Sequence, residues 1–399
     1  MIRIAYINAD PYVPVFGSQG SSVHAQEVIR ALRAEGADVT LFMHTQDGYA
    51  PPDLVDLKVC EFPRPVAKSQ IELEETLLTS NRQLMQALAN HGPFDLVYER
   101  YSVWGFGGMS FARSNKIPGV LEVNEPLIEI GAATRQLKDV GGARQVTKRA
   151  FTDATLLVAI SKEIGDYLRA RTSEVGKVRV IPNGANPERF KPGLIPALPD
   201  RQGVFTVGYA GTLSLRQGLD TLIKAFAILH RRDPRARLLL VGDGPDRETI
   251  GKAAASVGIA SAVELTGAVS PGIVPRLLAS MDVAVAAYPR KEQFYESPLK
   301  LFEYMASGLA VVTSSIGQPG EIVTDGQNGL LCPPGDFVAL AKAIDSLRVD
   351  EALRSRLGHA ASAYVRQHCS WRSVAGKVLI ATGLKSDSEG RTLTAVGAG

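Results

Sequence analysis

Apolar residues along this 399-residue chain fall into short runs of strand length, each followed by a polar loop and then a segment of helical period. The run at 2–8 (IRIAYIN) leads through a Pro and Gly-rich loop into a helical pattern at 23–35, stopped by Gly36, and the next strand is expected at 38–43. Strands are also expected at 96–99, 120–123 and 156–160. Ser69 and Glu72 form a capping box for a helix reaching about residue 90, and Ser161 caps the helix behind the strand at 156–160. Strand, loop, helix, strand in this order predicts an α/β fold with doubly wound parallel sheets.

The layout then starts again. The Pro-rich run at 191–200 (KPGLIPALPD) resists both helix and sheet and is expected to be a hinge. Beyond it, strands are expected at 204–209, 237–241, 263–265, 283–287 and 310–313, with helices at 219–231, 246–257, 274–280 and 351–368 between or after them. Asp336 is placed to cap a further helix. The reading is of two domains, at 1–195 and 203–370, followed by a helix at 371–384 and a Ser, Gly and Thr-rich tail at 385–399 expected to be disordered.

One stretch concentrates chemistry: 297–308, SPLKLFEYMASG. Ser297 is expected at the N-cap, Pro298 at the first helical position, and Gly308 at the stop. At 100° per residue Leu299, Phe302 and Ala306 share one apolar stripe, and Glu303 falls within it. A carboxylate there needs a partner. Lys300 sits in the first turn, where a cation opposes the helix dipole at a cost of about 0.3 to 1 kcal/mol unless an anion lies in front of the helix. A ligand with phosphates at the mouth formed by Ser297, Pro298 and Leu299, and a hydroxyl on Glu303, answers both placements. The competing reading, less favoured, is an Arg partner for Glu303 and a Lys300 that snorkels to water.

Composition narrows the class. At 45% hydrophobic and 21% charged, the chain has ordinary globular composition. A net charge of +3 is too mild to argue for nucleic acid. Cys60, Cys332 and Cys369 are odd in number and lack CxxC spacing, which points away from structural zinc and toward a reducing, cytoplasmic setting. No apolar run reaches 18 residues, so secretion and membrane spanning are not expected, while peripheral membrane contact stays open, as does oligomeric state.

Two loops of the first domain add candidates. The segment 16–22 (FGSQGSS) opens the first helix and is either a flexible turn or a ligand loop; its G-x-x-G spacing is not a dinucleotide fingerprint. The segment 120–126 (VLEVNEP) delivers Asn124 and Glu125 to the carboxyl end of a strand, where Glu125 either accepts a proton from a ligand hydroxyl or caps the next segment. Arg100, just after another strand, is a further candidate in the same crevice or half of an ion pair.

The ending E-Y-M-A-S-G at 303–308, together with I-P-N-G at 181–184, resembles the family-4 retaining glycosyltransferases over nearly the whole chain. The resemblance implies the GT-B architecture, two Rossmann-like domains facing a central cleft. A nucleotide diphosphate-sugar would bind mainly the second domain, a hydroxyl acceptor the first, and the C-terminal helix would cross back to the first domain. It implies that Glu303 binds ribose hydroxyls, that Gly17, Gly20 and Ser21 reach toward the substrates, and that backbone groups of Ala268 and Val269, after L-T-G, face the nucleobase. Gly244 in VGDGPD would pass near the nucleotide.

The departures are specific. The family's first Glu is replaced by Tyr295, with Glu296 one position off. A frequent His stands as Asn124. The family's diphosphate-clamping Arg and Lys stand as Thr212 and Gln217 in YAGTLSLRQGLD. A helix terminus alone stabilises an anion by at most roughly 2 kcal/mol, so a cation is needed. Arg216 and Lys300 together are expected to supply it, acting as catalytic residues with Asn124 and Glu125. No metal or other cofactor is expected, since no DxD occurs and the departing phosphate oxygen takes the acceptor proton in this family. A sugar-nucleotide epimerase of the same fold, or a two-domain binder without activity, are the competing readings.

Overall fold

The computed structural model of the chain describes residues 1–45, 48–198 and 203–386. The chain divides into two compact units. The first comprises Met1–Pro182 and the segment from Trp371 onward; the second is Asn183–Ser370. The break therefore falls at Pro182, ahead of the expected 195, because Asn183 and the residues after it pack on the second unit. Residues 199–200 of the expected hinge and 387–399 of the expected tail lie outside the described residues.

The first unit is a seven-stranded parallel sheet: β1 (Arg3–Asn8), β2 (Asp38–His44), β3 (Lys58–Phe62), β4 (Leu96–Arg100), β5 (Gly119–Val123), β6 (Leu156–Ala159) and β7 (Val178–Val180), in the order β3-β2-β1-β4-β5-β6-β7. Helices cover both faces, so the central strands are almost wholly buried and mostly apolar, with Glu99 in β4 and Glu122 in β5 as buried exceptions. The helices Gly20–Ala34 and Gln70–His91 begin near the expected places, and Ser69 Oγ accepts from the Glu72 amide at 3.2 Å. The closing helix, Trp371–Ala381, lies against the helix Gly20–Ala34. Trp371 meets the His24 ring edge-on at 5.3 Å between centres.

The second unit holds six parallel strands: β8 (Thr206–Ala210), β9 (Arg237–Val241), β10 (Val263–Leu265), β11 (Val283–Ala286), β12 (Ala310–Ser314) and β13 (Leu330–Cys332), in the order β10-β9-β8-β11-β12-β13. Asp336 caps the helix Phe337–Val349, accepting from Val338 at 3.0 Å and Ala339 at 2.9 Å. In both sheets the strand order reverses direction, at β1 and β4 in the first and at β8 and β11 in the second. In open parallel sheets the crevice beyond the carboxyl ends of such strands is where ligands bind.

Candidate functional site

In the second unit the switch point is framed by the loop after β8, 211–218, and the loop after β11, 287–298. Gly218 has φ 77°, and a Cβ on it would lie 1.9 Å from the Ala287 carbonyl oxygen, so the two loops can meet only at a glycine. The helix Leu299–Ala306 opens between them. Leu301, Phe302, Tyr304, Met305 and Ala306 are all buried, a wider face than the predicted stripe, because the helix packs against both the sheet and the helix Glu351–His368.

Lys300 leaves the first turn of that helix and donates to Gln217 Oε1 at 2.6 Å and to the Tyr209 hydroxyl at 3.1 Å. Its ammonium also lies 4.8 Å from the centre of the Tyr209 ring and 5.9 Å from that of Tyr288. Burial lowers its pKa to about 8, against the pull of the nearby carboxylates of Glu296 and Glu303. The half-buried Glu303 is thus on the same side of the helix as the lysine's charge.

The neighbours predicted from sequence fall into two groups. Gln217 and Lys300 are brought together, whereas Arg216 stands exposed on the short turn Leu215–Gln217 and its amide, not its guanidinium, bonds Ser214 Oγ at 3.3 Å. The turn therefore presents Gln217 to Lys300. Thr212 is exposed and contributes its carbonyl, which accepts from Tyr209 at 2.8 Å. Glu296 is engaged by Lys291 at 2.7 Å. Lys291 was not predicted, although in PRKEQFYE it stands four residues before the departure at Tyr295.

Ser297 is not the N-cap. The capping position falls on Pro298, with no side-chain bond, and Leu299 is the first helical residue. The Ser297 hydroxyl is instead committed elsewhere: it accepts from the Asn183 amide at 3.0 Å and donates to Gln318 Oε1, while Asn183 Nδ2 donates to the Ser297 carbonyl at 2.8 Å. Gly244 serves loop packing, since a Cβ there would lie 2.4 Å from the Leu213 carbonyl oxygen. Ala268 is exposed and Val269 is partly packed on the core of the unit, both just after Gly267.

In the first unit a buried polar cluster lies at the carboxyl ends of β4 and β5. Glu122, on β5, is its centre: Asn124 Nδ2 donates to Oε1 at 2.8 Å, Tyr98 donates to Oε2, His24 Nε2 lies 3.3 Å from Oε1 and Arg100 at 3.8 Å. Burial pushes the Glu122 carboxyl up, but His24, Arg100, Tyr98 and Asn124 outweigh it and hold the pKa below its ordinary value. Arg100 Nη1 also meets His24 Nδ1 at 3.2 Å. Asn124 and Arg100 thus both face Glu122, and Glu125 points outward, exposed. Sequence reasoning missed His24 and Glu122; a charged residue inside the apolar strand VLEV was the available signal. In the glycine loop, the carbonyl of Gly17 accepts from the buried Gln26 at 2.9 Å, Gly20 is exposed at the first position of its helix, and Ser21 is half-buried beside it.

Glu99, on β4, is fully buried, and burial pushes its pKa up to about 8 against the smaller opposing pull of the Met109 backbone amide. Among the described residues no group of three or more His, Cys, Asp and Glu side chains is placed to hold a metal ion, and no helix is long and apolar enough to cross a membrane.

Two family models match this chain: Glycosyltransferase Family 4 over residues 18–189 and Glycosyl transferases group 1 over residues 204–350. The chain belongs to the family-4 glycosyltransferases. This glycosyltransferase is a sugar-transferring enzyme of GT-B fold, with one Rossmann-like sheet in each unit. It is 26% identical over 386 residues to a D-inositol 3-phosphate glycosyltransferase of Xylanimonas cellulosilytica, covering 90% of each chain. Among solved structures, sucrose-phosphate synthase from Thermosynechococcus elongatus matches with a TM-score of 0.71 at 23% identity, over 95% of this chain and 97% of that one. The Anabaena protein HepE, solved in complex with UDP-glucose, matches with a TM-score of 0.71 at 19% identity, over 95% of this chain and 98% of its own.

Proposed function

We propose that this glycosyltransferase transfers a sugar from a nucleotide diphosphate-sugar to an acceptor hydroxyl with retention of configuration and without a metal ion. The observation that carries the reading is Lys300. A lysine in the first turn of a helix opposes the dipole, and this one is also desolvated enough to bring its pKa to about 8. Both costs are relieved by one thing, an anion at the helix mouth. A diphosphate supplies it, and HepE, with the same fold, is known with UDP-glucose bound.

In this reading the second unit holds the donor. Lys300 and the helix mouth of Pro298 and Leu299 face the phosphates, Gln217 orients the lysine, and Glu303 accepts from the ribose hydroxyls. The bond from the anomeric carbon to phosphate breaks, and that carbon bonds the acceptor oxygen on the same face. The acceptor proton passes to the departing phosphate oxygen, whose charge Lys300 stabilises. The first unit takes the acceptor, with the Arg100, His24 and Glu122 cluster keeping its polar floor rigid. None of the three cysteines is joined in a disulfide and two of them are buried, which supports a reducing, cytoplasmic setting.

A thermal-shift panel of UDP, GDP and ADP and their sugars tests the donor. One nucleotide should raise the melting temperature through linkage and Lys300→Ala should abolish the rise. A panel in which no nucleotide shifts the protein would overturn the reading. Activity retained after exhaustive EDTA treatment checks metal independence.

A further inference from the structure

The first unit contains a cavity of about 220 Å³ that the sugar chemistry above does not use. It opens at the carboxyl ends of β1 and β2 and is closed on one side by the helix Gln70–His91. Phe42, Phe62 and Trp104 supply aromatic walls, and Leu73, Leu77 and Leu84 supply aliphatic ones from the helix.

Its polar side chains are mostly spent. Asn81 Nδ2 donates to the carbonyls of Leu78 at 2.9 Å and Trp104 at 2.8 Å, and its Oδ1 accepts from Phe106 and Gly107, both at 2.7 Å. Ser80 donates to the Leu77 carbonyl at 2.7 Å, Gln70 to Glu74 at 3.2 Å, and His44 Nδ1 lies 3.1 Å from the Pro63 carbonyl oxygen. A sugar placed here would lose its water and gain few hydrogen bonds, which costs about 1 to 3 kcal/mol for each unpaired group. Asp10 differs. At the edge of the cavity its half-buried carboxylate accepts from the Tyr12 amide at 2.9 Å through Oδ1 alone.

We propose that this cavity seats the apolar, ring-bearing body of the acceptor, and that Asp10 receives the hydrogen bond of an acceptor hydroxyl. The acceptor class is then a small aromatic or polycyclic alcohol, not a carbohydrate. Aromatic walls favour a ring, which stacks on their faces. The volume is below the range of about 300 to 1,000 Å³ that encloses a drug-sized molecule, so it holds one or two fused rings and leaves the rest of the molecule outside. Asp10 is a positioning residue in this account. The inference rests on the transferase reading, because only a transferase requires an acceptor.

The test is calorimetric titration of the full chain with 2-naphthol, 2-methoxynaphthalene and methyl glucoside. Saturable binding of 2-naphthol is expected, weakened about tenfold by Leu77→Trp, which fills the cavity, and also by the milder Ser80→Leu. Removing the hydroxyl, as in 2-methoxynaphthalene, should weaken binding about threefold in the wild type and leave Asp10→Asn indifferent between the two probes. Preference for methyl glucoside, or naphthol binding that neither filling substitution disturbs, would overturn the proposal. Thermal shift by the nucleotide, measured on the same variants, separates the outcomes: a preserved shift with no naphthol site sinks only the acceptor class, whereas loss of any nucleotide shift in the wild type sinks the transferase reading itself.

Discussion

Asn183 and Ser297, 114 residues apart in the chain, hold each other through two hydrogen bonds, the Asn183 amide to Ser297 Oγ at 3.0 Å and Asn183 Nδ2 to the Ser297 carbonyl at 2.8 Å. Both residues are buried. The Pro-Asn-Gly segment thereby fastens the chain just ahead of the helix Leu299–Ala306. Asn183→Ala keeps the backbone bond to Ser297 Oγ but takes the Nδ2 partner from the buried Ser297 carbonyl, and is expected to cost about 1 to 3 kcal/mol in urea unfolding. Nucleotide affinity should fall with it, because the mouth of the helix loses its anchor. An unchanged unfolding midpoint would show that the fastening is energetically idle.

Lys300 predicts a pH dependence with a definite sign. Its folded pKa is depressed from 10.5 to about 8, chiefly by burial, so between those values the unfolded chain binds the extra proton and stability of the free enzyme rises with pH. Below about 8 the lysine is charged and ready for the diphosphate; above it, binding must take up a proton. UDP affinity should therefore be flat between pH 7 and 8 and weaken above, and Lys300→Met should flatten the profile at a low level. Titrations at pH 7.5 and 9.5 decide it.

On the proposed reading Glu303 accepts from the ribose, which makes its effect separable from general damage. Glu303→Ala should weaken UDP by about tenfold to a hundredfold, the scale of a lost hydrogen bond to a charged group. The variant should no longer distinguish UDP from its 2′-deoxy analogue, while the wild type should. Equal discrimination by both proteins would place the ribose elsewhere.

Glu99 works against the fold at neutral pH. Its folded pKa is raised to about 8 by burial, above the ordinary 4.5, so the folded protein holds the extra proton and stability falls as pH rises from 4.5 to 8. Glu99→Gln keeps the shape and removes the titration. At pH 8 the variant should melt above the wild type, by about 2 to 4 °C for each kcal/mol recovered. The difference should vanish toward pH 4.5; a variant less stable at both pH values would mean that the carboxyl has a partner it needs.

Legibility in the sequence followed how locally each feature is determined. The strand RLLLV at 237–241 comes out at the expected bounds because a strand inside a parallel sheet is apolar on both faces, and VEL at 263–265, half-buried at the edge of the same sheet, also matches its expected bounds. β3, Lys58–Phe62, was not expected: it is an edge strand whose charged and exposed side chains break the pattern. The helices Gly107–Ser114 and Val140–Asp153 were also missed, their first turns being Gly-Gly and Val-Gly-Gly. Ser297 was misread as a cap because a local rule sees only the following residues, and the hydroxyl's true partners are Asn183 and Gln318. Likewise Lys300 was expected beside Arg216, its neighbour in a sequence argument, when the turn Leu215–Gln217 offers Gln217. His24 and Glu122 meet only because β1, β4 and β5 lie side by side, a consequence of strand order that no single segment carries.

The first unit is made of two pieces of chain, 1–182 and the segment from Trp371, with the second unit strung between them. A ribosome delivers those pieces far apart in time. The early sheet must therefore wait, with the surface around His24 uncovered, while the intervening unit emerges and closes on itself. Chains released before Trp371 should carry a finished second unit and an unfinished first one, and quality-control chaperones would find their target on the half that was made first.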